Sequence, residues 1–465
     1  MPKIYENGLF IFHRDFRIKD NIGLLDACKQ CKRVFTCFIF TPEQVSKANS
    51  YKSNNAVQFM IESLDELSKE IAKNGGKLIL LYGPTNKMIE QLVEQLQIDA
   101  LFFNRDYTPY AIKRDTDIQT LSTKLKITCN ISQDYYLHEP GTIKNGQNGY
   151  YHKFTPFCEK ALTIDVDSPR NINMSGILGK STIHNTITID EAFSQFTQIN
   201  ADILVSGGRD NGIARLRTAL IEQQDYNKNR NNLDFETTLL SAYIKFGCIS
   251  IREIYHAFKK KYGIQHEVIR ELIWRDFFAH ILYAYPDVLG HSYNPHFEKI
   301  KWKSNAELLN LWKKGMTGFP VVDACMRQLN ATGYMHNRGR MIVATFLVKT
   351  LLLDWREGEK YFAKKLTDYD IASNNGNWSS IVGGGVYAMP YFRIMNPWIQ
   401  SAKFDQDAIF CKKWVPELQD VLPKDICKWY DMCKDAKYHN IKYPCPIVDY
   451  QEQKEKALKL YHSYV

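Results

Sequence analysis

The sequence has 465 residues, more than one hydrophobic core usually organises, so we expect two domains. Hydrophobic residues make up 45% and charged residues 24% of the chain, which is typical of a soluble globular protein, and no apolar run approaches the roughly 20 residues that cross a bilayer. The net charge of +9 is compatible with binding to nucleic-acid phosphates but does not require it.

The N-terminal sequence leads directly into an apolar strand with charged residues close behind, which argues against a secretory signal peptide. The 11 cysteines form no framework. Cys28 and Cys31 have C-x-x-C spacing, but no second pair follows at zinc-site distance, so we expect no metal there. Free thiols in a reducing compartment are the prediction.

Residues 1–135 alternate short apolar runs with helical patterns, which predicts an α/β domain with a doubly wound parallel sheet. The predicted strands are 8–12, 34–40, 77–82 and 100–104. The predicted helices between them are 57–71 and 88–96. No glycine-rich phosphate-binding loop is present, so nothing argues for a nucleotide at the first turn.

Residues 136–202 lose this periodicity and predict a long connector, with one amphipathic stretch at 151–162. Residues 203–465 predict a larger, all-helical domain. The segments with helical apolar spacing are 209–223, 238–246, 250–260, 268–283, 306–314, 320–332 and 340–352.

Two helical segments carry side chains that suit ligand binding. Hydroxyl groups near the start of 238–246 suit a phosphate, but on this segment alone ordinary helix capping is the better explanation. Glu271, Trp274 and Arg275 share one helix face. The carboxylate can accept hydrogen bonds from base edges, the indole can stack on a ring, and the guanidinium can pair with a phosphate. The alternative is an ordinary Glu–Arg pair beside a core tryptophan.

An Asx-rich segment follows further along the chain. Asp368 and Asp370 can hold a cation such as Arg340. The Asn374 amide can either accept a hydrogen bond or donate one. A polar turn is the alternative interpretation of the whole segment.

The runs TGFPVVDACMRQLNATGYMHNR, DYDIASNNGNW and PYFRIMNP resemble the FAD-binding domain of the photolyase/cryptochrome family. The resemblance extends over nearly the whole chain and is strongest to the class I cyclobutane pyrimidine dimer photolyases. It implies a folded FAD in the helical domain and light-driven repair of UV-damaged DNA. In such enzymes, reduced FAD passes an electron to a dimer flipped out of the duplex, and the cyclobutane ring opens.

The resemblance also implies roles for individual residues. The implied cofactor-binding residues are Tyr226, Thr237, Thr238, Leu240, Ser241, Arg275, Arg340, Asp368, Asp370 and Asn374. The implied DNA-binding residues are Glu271, Trp274, Asn337, Arg338, Met341, Arg393 and Lys403. The implied catalytic residues are Glu271, Asn374 and an electron relay formed by Trp302, Trp355 and Trp378. Asn374, rather than the aspartate of plant cryptochromes, favours the fully reduced flavin that photolyases use.

The sequence departs from the family pattern at three places. Leu239 replaces a usual arginine, Ser380 replaces the second tryptophan of a W-x-W motif, and Leu289 with Gly290 replaces a Cys-Lys pair of some folate-binding members. We expect a second, antenna chromophore of folate or deazaflavin type near residues 105–110, with its identity open. We also expect a monomer that binds no membrane and resides inside the cell with DNA, in the nucleus or cytoplasm.

Two alternatives remain open from the sequence. A cryptochrome-type blue-light receptor without repair activity fits the loss of the W-x-W motif. A dark DNA-binding or flavin electron-transfer protein would show no light dependence. A six-four photolyase would show two histidines where this chain has only His336.

Overall fold

The computed structural model describes residues 3–171 and 173–464. By their packing, these residues form two compact units. The first unit runs to Asn200 and adds Val205–Gln224 and Thr238–Pro286; the second comprises Ala201–Leu204, Asp225–Thr237 and Asp287–Val465. The boundaries between the two packed units therefore differ from the positions at which the sequence pattern changes. The domain boundaries predicted after 135 and 202 stay a prediction.

The first unit is built on a five-stranded parallel sheet, as expected for a doubly wound domain. Its strands are β1 (Tyr5–Phe12), β2 (Cys31–Phe40), β3 (Leu78–Tyr82), β4 (Ala100–Asn104) and β5 (Thr128–Ser132). The order β3-β2-β1-β4-β5 places the topological switch point between β1 and β4. Strands β1 to β4 are almost continuously apolar because both faces of the sheet are covered.

Helices connect and cover these strands. They are Ile22–Gln30, Pro42–Val45, Asn54–Lys73, Thr85–Leu96, Pro109–Leu125, Phe154–Leu162, Ile189–Phe196, Arg209–Glu222, Ser241–Lys245, Ile251–Tyr262 and Glu267–Ala284. The connector predicted for 136–202 thus contains two helices, of which only the first was expected. Glu267–Ala284 carries the predicted Glu271, Trp274 and Arg275.

The second unit is helical and packs around large buried aromatic side chains such as Trp312, Trp355 and Trp378. Its α-helices are Tyr226–Asn229, Pro295–Glu298, Ala306–Lys314, Pro320–Thr332, Asn337–Thr345, Trp355–Lys365, Ile371–Val382, Pro397–Phe404, Ile409–Trp414, Pro423–Ile426, Trp429–Met432 and Tyr450–His462. Three 3₁₀ turns are Pro286–Val288, Pro416–Leu418 and Ala436–Tyr438. A π-helical turn, Phe346–Thr350, breaks the helix predicted over 340–352.

Two further expectations differ from the structure. Cys433 and Cys445 form a disulfide, so the prediction of free thiols was wrong for this pair. Cys28 and Cys31 are free and buried. Within 3–171 and 173–464, no helix is long and apolar enough to cross a membrane.

Candidate functional site

A partly buried ion pair in the second unit joins two of the predicted cofactor-binding residues. Arg340 lies on the helix Asn337–Thr345 and contacts Asp368 at 2.8 Å, while its Nε donates to the Met335 carbonyl at 2.9 Å. Burial lowers the pKa of Arg340, but the Asp368 carboxylate outweighs this effect and raises it. The second Asp368 oxygen, Oδ1, is buried and has no hydrogen-bond partner among the described residues. It is an acceptor suited to a donor group of a bound cofactor.

Asp370 and Asn374 lie at the start of the next helix. Asp370 is the N-cap of Ile371–Val382, and its carboxylate accepts from the Ser373 amide at 3.0 Å. One turn later, the Asn374 side-chain nitrogen donates to the Glu359 carboxylate at 2.9 Å. Tyr369 donates to the same Glu359 oxygen at 3.1 Å. Because Glu359 engages the nitrogen, the Asn374 oxygen remains as an acceptor that no described residue occupies.

Sequence reasoning missed Glu359, yet a signal for it exists. Trp355, Glu359 and Phe362 recur at helical spacing and are all buried, which puts the carboxylate on the inner face of the helix Trp355–Lys365. Gly358 lies on the same helix. Any larger residue at this position would place a Cβ atom against the indole of Trp378. This glycine allows the helices Trp355–Lys365 and Ile371–Val382 to approach closely.

The three tryptophans of the predicted relay differ in exposure. Trp355 and Trp378 are 1% and 2% exposed, whereas Trp302 is half-buried. Trp378 packs edge-on against Phe362 with ring centres 5.1 Å apart. Trp302 lies 6.3 Å from the ring of Tyr461. Within the described part of the chain no direct ring contact links the three indoles, so their role as a relay stays a prediction.

A cluster of cations lies elsewhere on the second unit. Arg338 and Lys403 lie over the ring of Phe404, at 4.7 and 5.3 Å from its centre. The pKa of Arg338 is lowered by burial and by the positive charges of Arg230 and Arg393. These four residues, Arg230, Arg338, Arg393 and Lys403, are called the basic cluster below. Across 3–171 and 173–464, no carboxylate forms an ion pair with Arg338, Arg393 or Lys403.

Uncompensated cations that lie close together repel each other, and a polyanion relieves that repulsion. Arg338, Arg393 and Lys403, which pair with no carboxylate among the described residues, therefore suit phosphate groups. Arg230 was not singled out from the sequence, since it follows the short helix Tyr226–Asn229 in a polar segment without helical periodicity. Its guanidinium lies 6.0 Å from the ring centre of Tyr226, a predicted cofactor-binding residue.

The helix Asn337–Thr345 presents several predicted residues together. Asn337 is exposed at its first position, and Met341 is partly buried one turn later. The N-cap is His336, which accepts from the Arg338 amide at 3.1 Å. Burial, together with Arg340 and Arg338, lowers the pKa of His336 to about 4, so this cap is neutral at physiological pH.

Among the remaining predicted cofactor residues, Tyr226 begins the helix Tyr226–Asn229, and Thr237, Thr238 and Leu240 precede the helix that begins at Ser241. Thr237, in the second unit, shares a hydrogen bond of 3.1 Å with Tyr334. In the first unit, Thr238 accepts from Arg215 through its backbone carbonyl at 2.8 Å. Leu239 has a positive φ of 51°, and the helix begins only at Ser241, three residues later than predicted. It spans Ser241–Lys245, so it is shorter than the predicted 238–246 and offers little helix dipole to a phosphate.

The helix face with Glu271, Trp274 and Arg275 is already engaged within the first unit. Trp274 stacks on Phe154 with ring centres 3.6 Å apart and an interplanar angle of 7°. Arg275 donates to the Tyr135 carbonyl at 2.6 Å and lies 4.3 Å from the centre of the Tyr136 ring. Phe277 and Phe278 also lie against the Trp274 indole, each with ring centres 5.6 Å away, so this side chain is packed among aromatic rings of its own unit.

The segment predicted to lie near an antenna pigment follows β4. Asp106 pairs with Arg14 at 2.7 Å, and Asn104 donates to Asp15 at 2.5 Å. All four side chains are buried at the carboxyl ends of β1 and β4, where doubly wound sheets usually bind ligands. Arg105 and Tyr107 both contact Glu139, at 3.3 and 2.9 Å. The centre of this crevice is thus filled by the chain's own polar groups.

Comparison with known proteins agrees with this arrangement. Residues 9–171 match the family model described as DNA photolyase, and residues 268–463 match the FAD binding domain of DNA photolyase. A sheet unit together with an FAD-binding helical unit defines a flavoprotein of the photolyase/cryptochrome class. More narrowly, the chain belongs to the DNA photolyase family.

Individual relatives resemble the chain over nearly its full length. The deoxyribodipyrimidine photo-lyase of Buchnera aphidicola subsp. Baizongia pistaciae is 36% identical over 98% of both chains. The structure of an archaeal photolyase from Sulfolobus tokodaii, described with two FAD molecules, has a TM-score of 0.87 at 38% identity and covers 98% of this chain and 100% of its own. The Synechocystis cryptochrome structure also has a TM-score of 0.87, at 26% identity, with 99% and 100% covered.

Proposed function

We propose that the protein is a deoxyribodipyrimidine photo-lyase, an FAD enzyme that uses light to split cyclobutane pyrimidine dimers in UV-damaged DNA. The observation that carries this proposal is a combination of two features in the second unit. Two acceptors suit a cofactor, the buried Asp368 Oδ1 and the half-buried Asn374 amide oxygen. Three cations of the basic cluster, Arg338, Arg393 and Lys403, pair with no carboxylate of the described residues. A light receptor that does not handle DNA has no need of such a cluster.

The residues present fit FAD. Asp368 offers a buried acceptor, Arg340 holds that carboxylate in place, and Asn374 offers an amide oxygen. Bound FAD supplies the absorption of blue or near-ultraviolet light and the electron that opens the dimer. We assign Tyr226, Thr237 and Asp370 of the second unit to the same cofactor on the family resemblance. The assignment extends to Thr238, Leu240, Ser241 and Arg275 of the first unit.

Glu359 and Asn374 together determine which polar group would contact the flavin. Glu359 receives hydrogen bonds from both Tyr369 and Asn374, so it acts as an acceptor. The Asn374 amide consequently keeps its oxygen available as an acceptor and has no acidic proton to give up. A fixed neutral acceptor favours the electron-rich, fully reduced flavin over a state that needs a nearby acid.

Arg230, Arg338, Arg393 and Lys403 would hold the phosphates that flank the lesion. Such contacts position the duplex without reading its sequence, as a repair enzyme for dispersed lesions requires. On the family resemblance, Glu271, Asn337 and Met341 are the residues proposed to meet the dimer, and Trp274 is proposed to stack on it. Flipping costs a few kcal/mol and is cheapest at a damaged pair.

The cryptochrome alternative rests on one specific observation. Ser380 replaces the second tryptophan of the family motif and is 3% exposed, so this position presents no aromatic surface to a substrate. A receptor without repair activity would tolerate that change. Its FAD would still be photoreduced, but dimer-containing DNA would be neither split nor preferentially bound.

The deciding experiment incubates purified FAD-loaded protein, chemically reduced, with an oligonucleotide that contains a thymine dimer. Blue light should restore the thymine absorbance, and the dark sample should not. Photoreduction without any restored absorbance would support the cryptochrome alternative. A protein that binds no FAD would refute both.

A second chromophore, monomeric state and residence with DNA inside the cell remain parts of the proposal. Because Arg14, Asp15, Asn104 and Asp106 fill the centre of the crevice at the switch point, a second chromophore would lie to one side of them. Its presence is testable by extracting pigments from the purified protein and comparing their spectra with FAD alone.

A further inference from the structure

Lys349 is a buried cation with no role in the function described so far. It lies in the π-helical turn Phe346–Thr350 and is 1% exposed. Lysine is almost never fully buried unless it is paired. In the described part of the chain, however, no carboxylate pairs with it: its ammonium donates to the Arg393 carbonyl at 3.2 Å and lies 5.6 Å from the centre of the Tyr461 ring.

The surroundings disfavour the charge on this side chain. Burial and the positive charge of Arg393 lower the pKa of Lys349 to about 8. The group is still mostly protonated at neutral pH, so a buried ammonium persists with one carbonyl and one ring face as partners. An apolar side chain would cost less at this position, which indicates that the cation serves a purpose other than stability.

The partner of Lys349 belongs to an irregular segment. Residues 383–396 connect the helices Ile371–Val382 and Pro397–Phe404. The backbone bonds that shape it include those from Met389 to the Ser380 carbonyl at 3.0 Å and from Arg393 to the Pro390 carbonyl at 2.9 Å. Lys349 supplies the contact on the carbonyl side of Arg393. The backbone of this arginine is therefore held on both sides.

The side chain of Arg393 reaches toward the basic cluster. Its charge contributes to the lowered pKa of Arg338, together with burial and Arg230. Because Arg393 makes no ion pair with a carboxylate of the described chain, its direction depends on how its backbone is fixed.

We propose that Lys349 is a positioning residue for DNA binding: its buried ammonium anchors the backbone of Arg393 so that the guanidinium meets a phosphate beside the lesion. Lys349 itself does not touch DNA. This proposal rests on the repair function above, since it assumes that Arg393 binds phosphate.

The test is a double-mutant cycle on the full-length, FAD-loaded protein in the dark. Lys349→Met keeps the length and apolar volume of the side chain and removes the ammonium. We expect its Kd for a duplex with one thymine dimer to rise about threefold to tenfold in the parent background and to stay unchanged when Arg393 is already alanine. Lys349→Arg, which retains a cationic donor, should restore most of the affinity.

Lys459→Met is the matched control, because Lys459 is an exposed cation on the helix that carries Tyr461. It removes the same net charge and should leave the Kd within about twofold. The flavin spectrum and the rate of FAD photoreduction should be the same in all variants, which shows that the cofactor site is intact.

An equal loss of affinity in the parent and Arg393→Ala backgrounds would overturn the positioning role, as would an unchanged Kd for Lys349→Met. Neither result would affect the proposed repair function, provided that the parent protein binds and splits the dimer. Failure of the parent protein to do so would instead refute the proposed function.

Discussion

Lys349→Met should make the protein more stable at neutral pH. The pKa of Lys349 falls from 10.5 to about 8 on folding, because burial and Arg393 disfavour the charge. At about 1.4 kcal/mol per pKa unit, keeping this ammonium in the folded state costs about 3 kcal/mol at pH 7. Methionine avoids that cost but loses the hydrogen bond to the Arg393 carbonyl, which contributes about 1 kcal/mol. The expected net gain is about 2 kcal/mol.

The pH dependence follows from the same shift. Between pH 8 and 10.5 the unfolded state binds more protons at this lysine than the folded state does, so the stability contributed by Lys349 rises as the pH rises. The cost is fully present below about pH 8 and disappears near pH 10.5. The difference in unfolding free energy between Lys349→Met and the parent protein should therefore be largest at pH 7. It should shrink as the pH rises and reverse slightly toward pH 10.5.

Urea unfolding of parent and variant at pH 7 and pH 10, followed by both fluorescence and circular dichroism, measures this difference. Agreement of the two probes establishes that one unfolding transition is being compared. Lys459 is exposed, so Lys459→Met should have the same unfolding free energy as the parent protein at either pH. A Lys349→Met protein that is less stable than its parent at pH 7, or a difference that does not change with pH, would refute the reasoning.

Three further results are expected. Trp378→Phe should slow photoreduction of oxidised FAD at least tenfold and leave repair by pre-reduced enzyme unchanged. The control Trp429→Phe, also at a buried tryptophan, should change neither rate. Equal photoreduction in the parent and both variants would refute the proposed relay. Glu359→Gln should free the Asn374 amide to turn over and make reduced FAD reoxidise in air about fivefold faster, as followed by flavin absorbance; an unchanged rate would show that Glu359 does not orient the amide. Arg393→Ala should weaken binding of dimer-containing DNA and reduce the salt slope by about one, and an unchanged slope would mean that this arginine meets no phosphate.

Much of the fold follows from periodicity in the sequence. The runs around β1 to β4 are continuously apolar because both faces are buried, and the helices Ala306–Lys314 and Pro320–Thr332 begin and end where apolar spacing and caps indicate. Strand β5 was missed because it is polar and lies at the sheet edge, where half-exposed residues carry no apolar pattern.

Contacts between distant residues are harder to predict. The disulfide joins Cys433 and Cys445 across an irregular segment, and 12 residues of separation carry no signature of pairing. Trp274 was expected to be available for stacking, but Phe154 covers one of its faces. The pairing of Arg340 with Asp368 was anticipated, whereas the roles of Glu359 and Lys349 depend on hydrogen bonds that only the three-dimensional structure reveals.

The helix Trp355–Lys365 has a consequence for how this enzyme can change. Within five residues it carries Trp355, the glycine that admits the indole of Trp378, and the carboxylate that orients Asn374. A rotation or shift of this one helix would move the proposed electron relay and the proposed polar neighbour of the flavin at the same time. If both roles hold, photoreduction of the cofactor and its resistance to reoxidation are mechanically linked, and a mutation selected for one of them would be expected to alter the other.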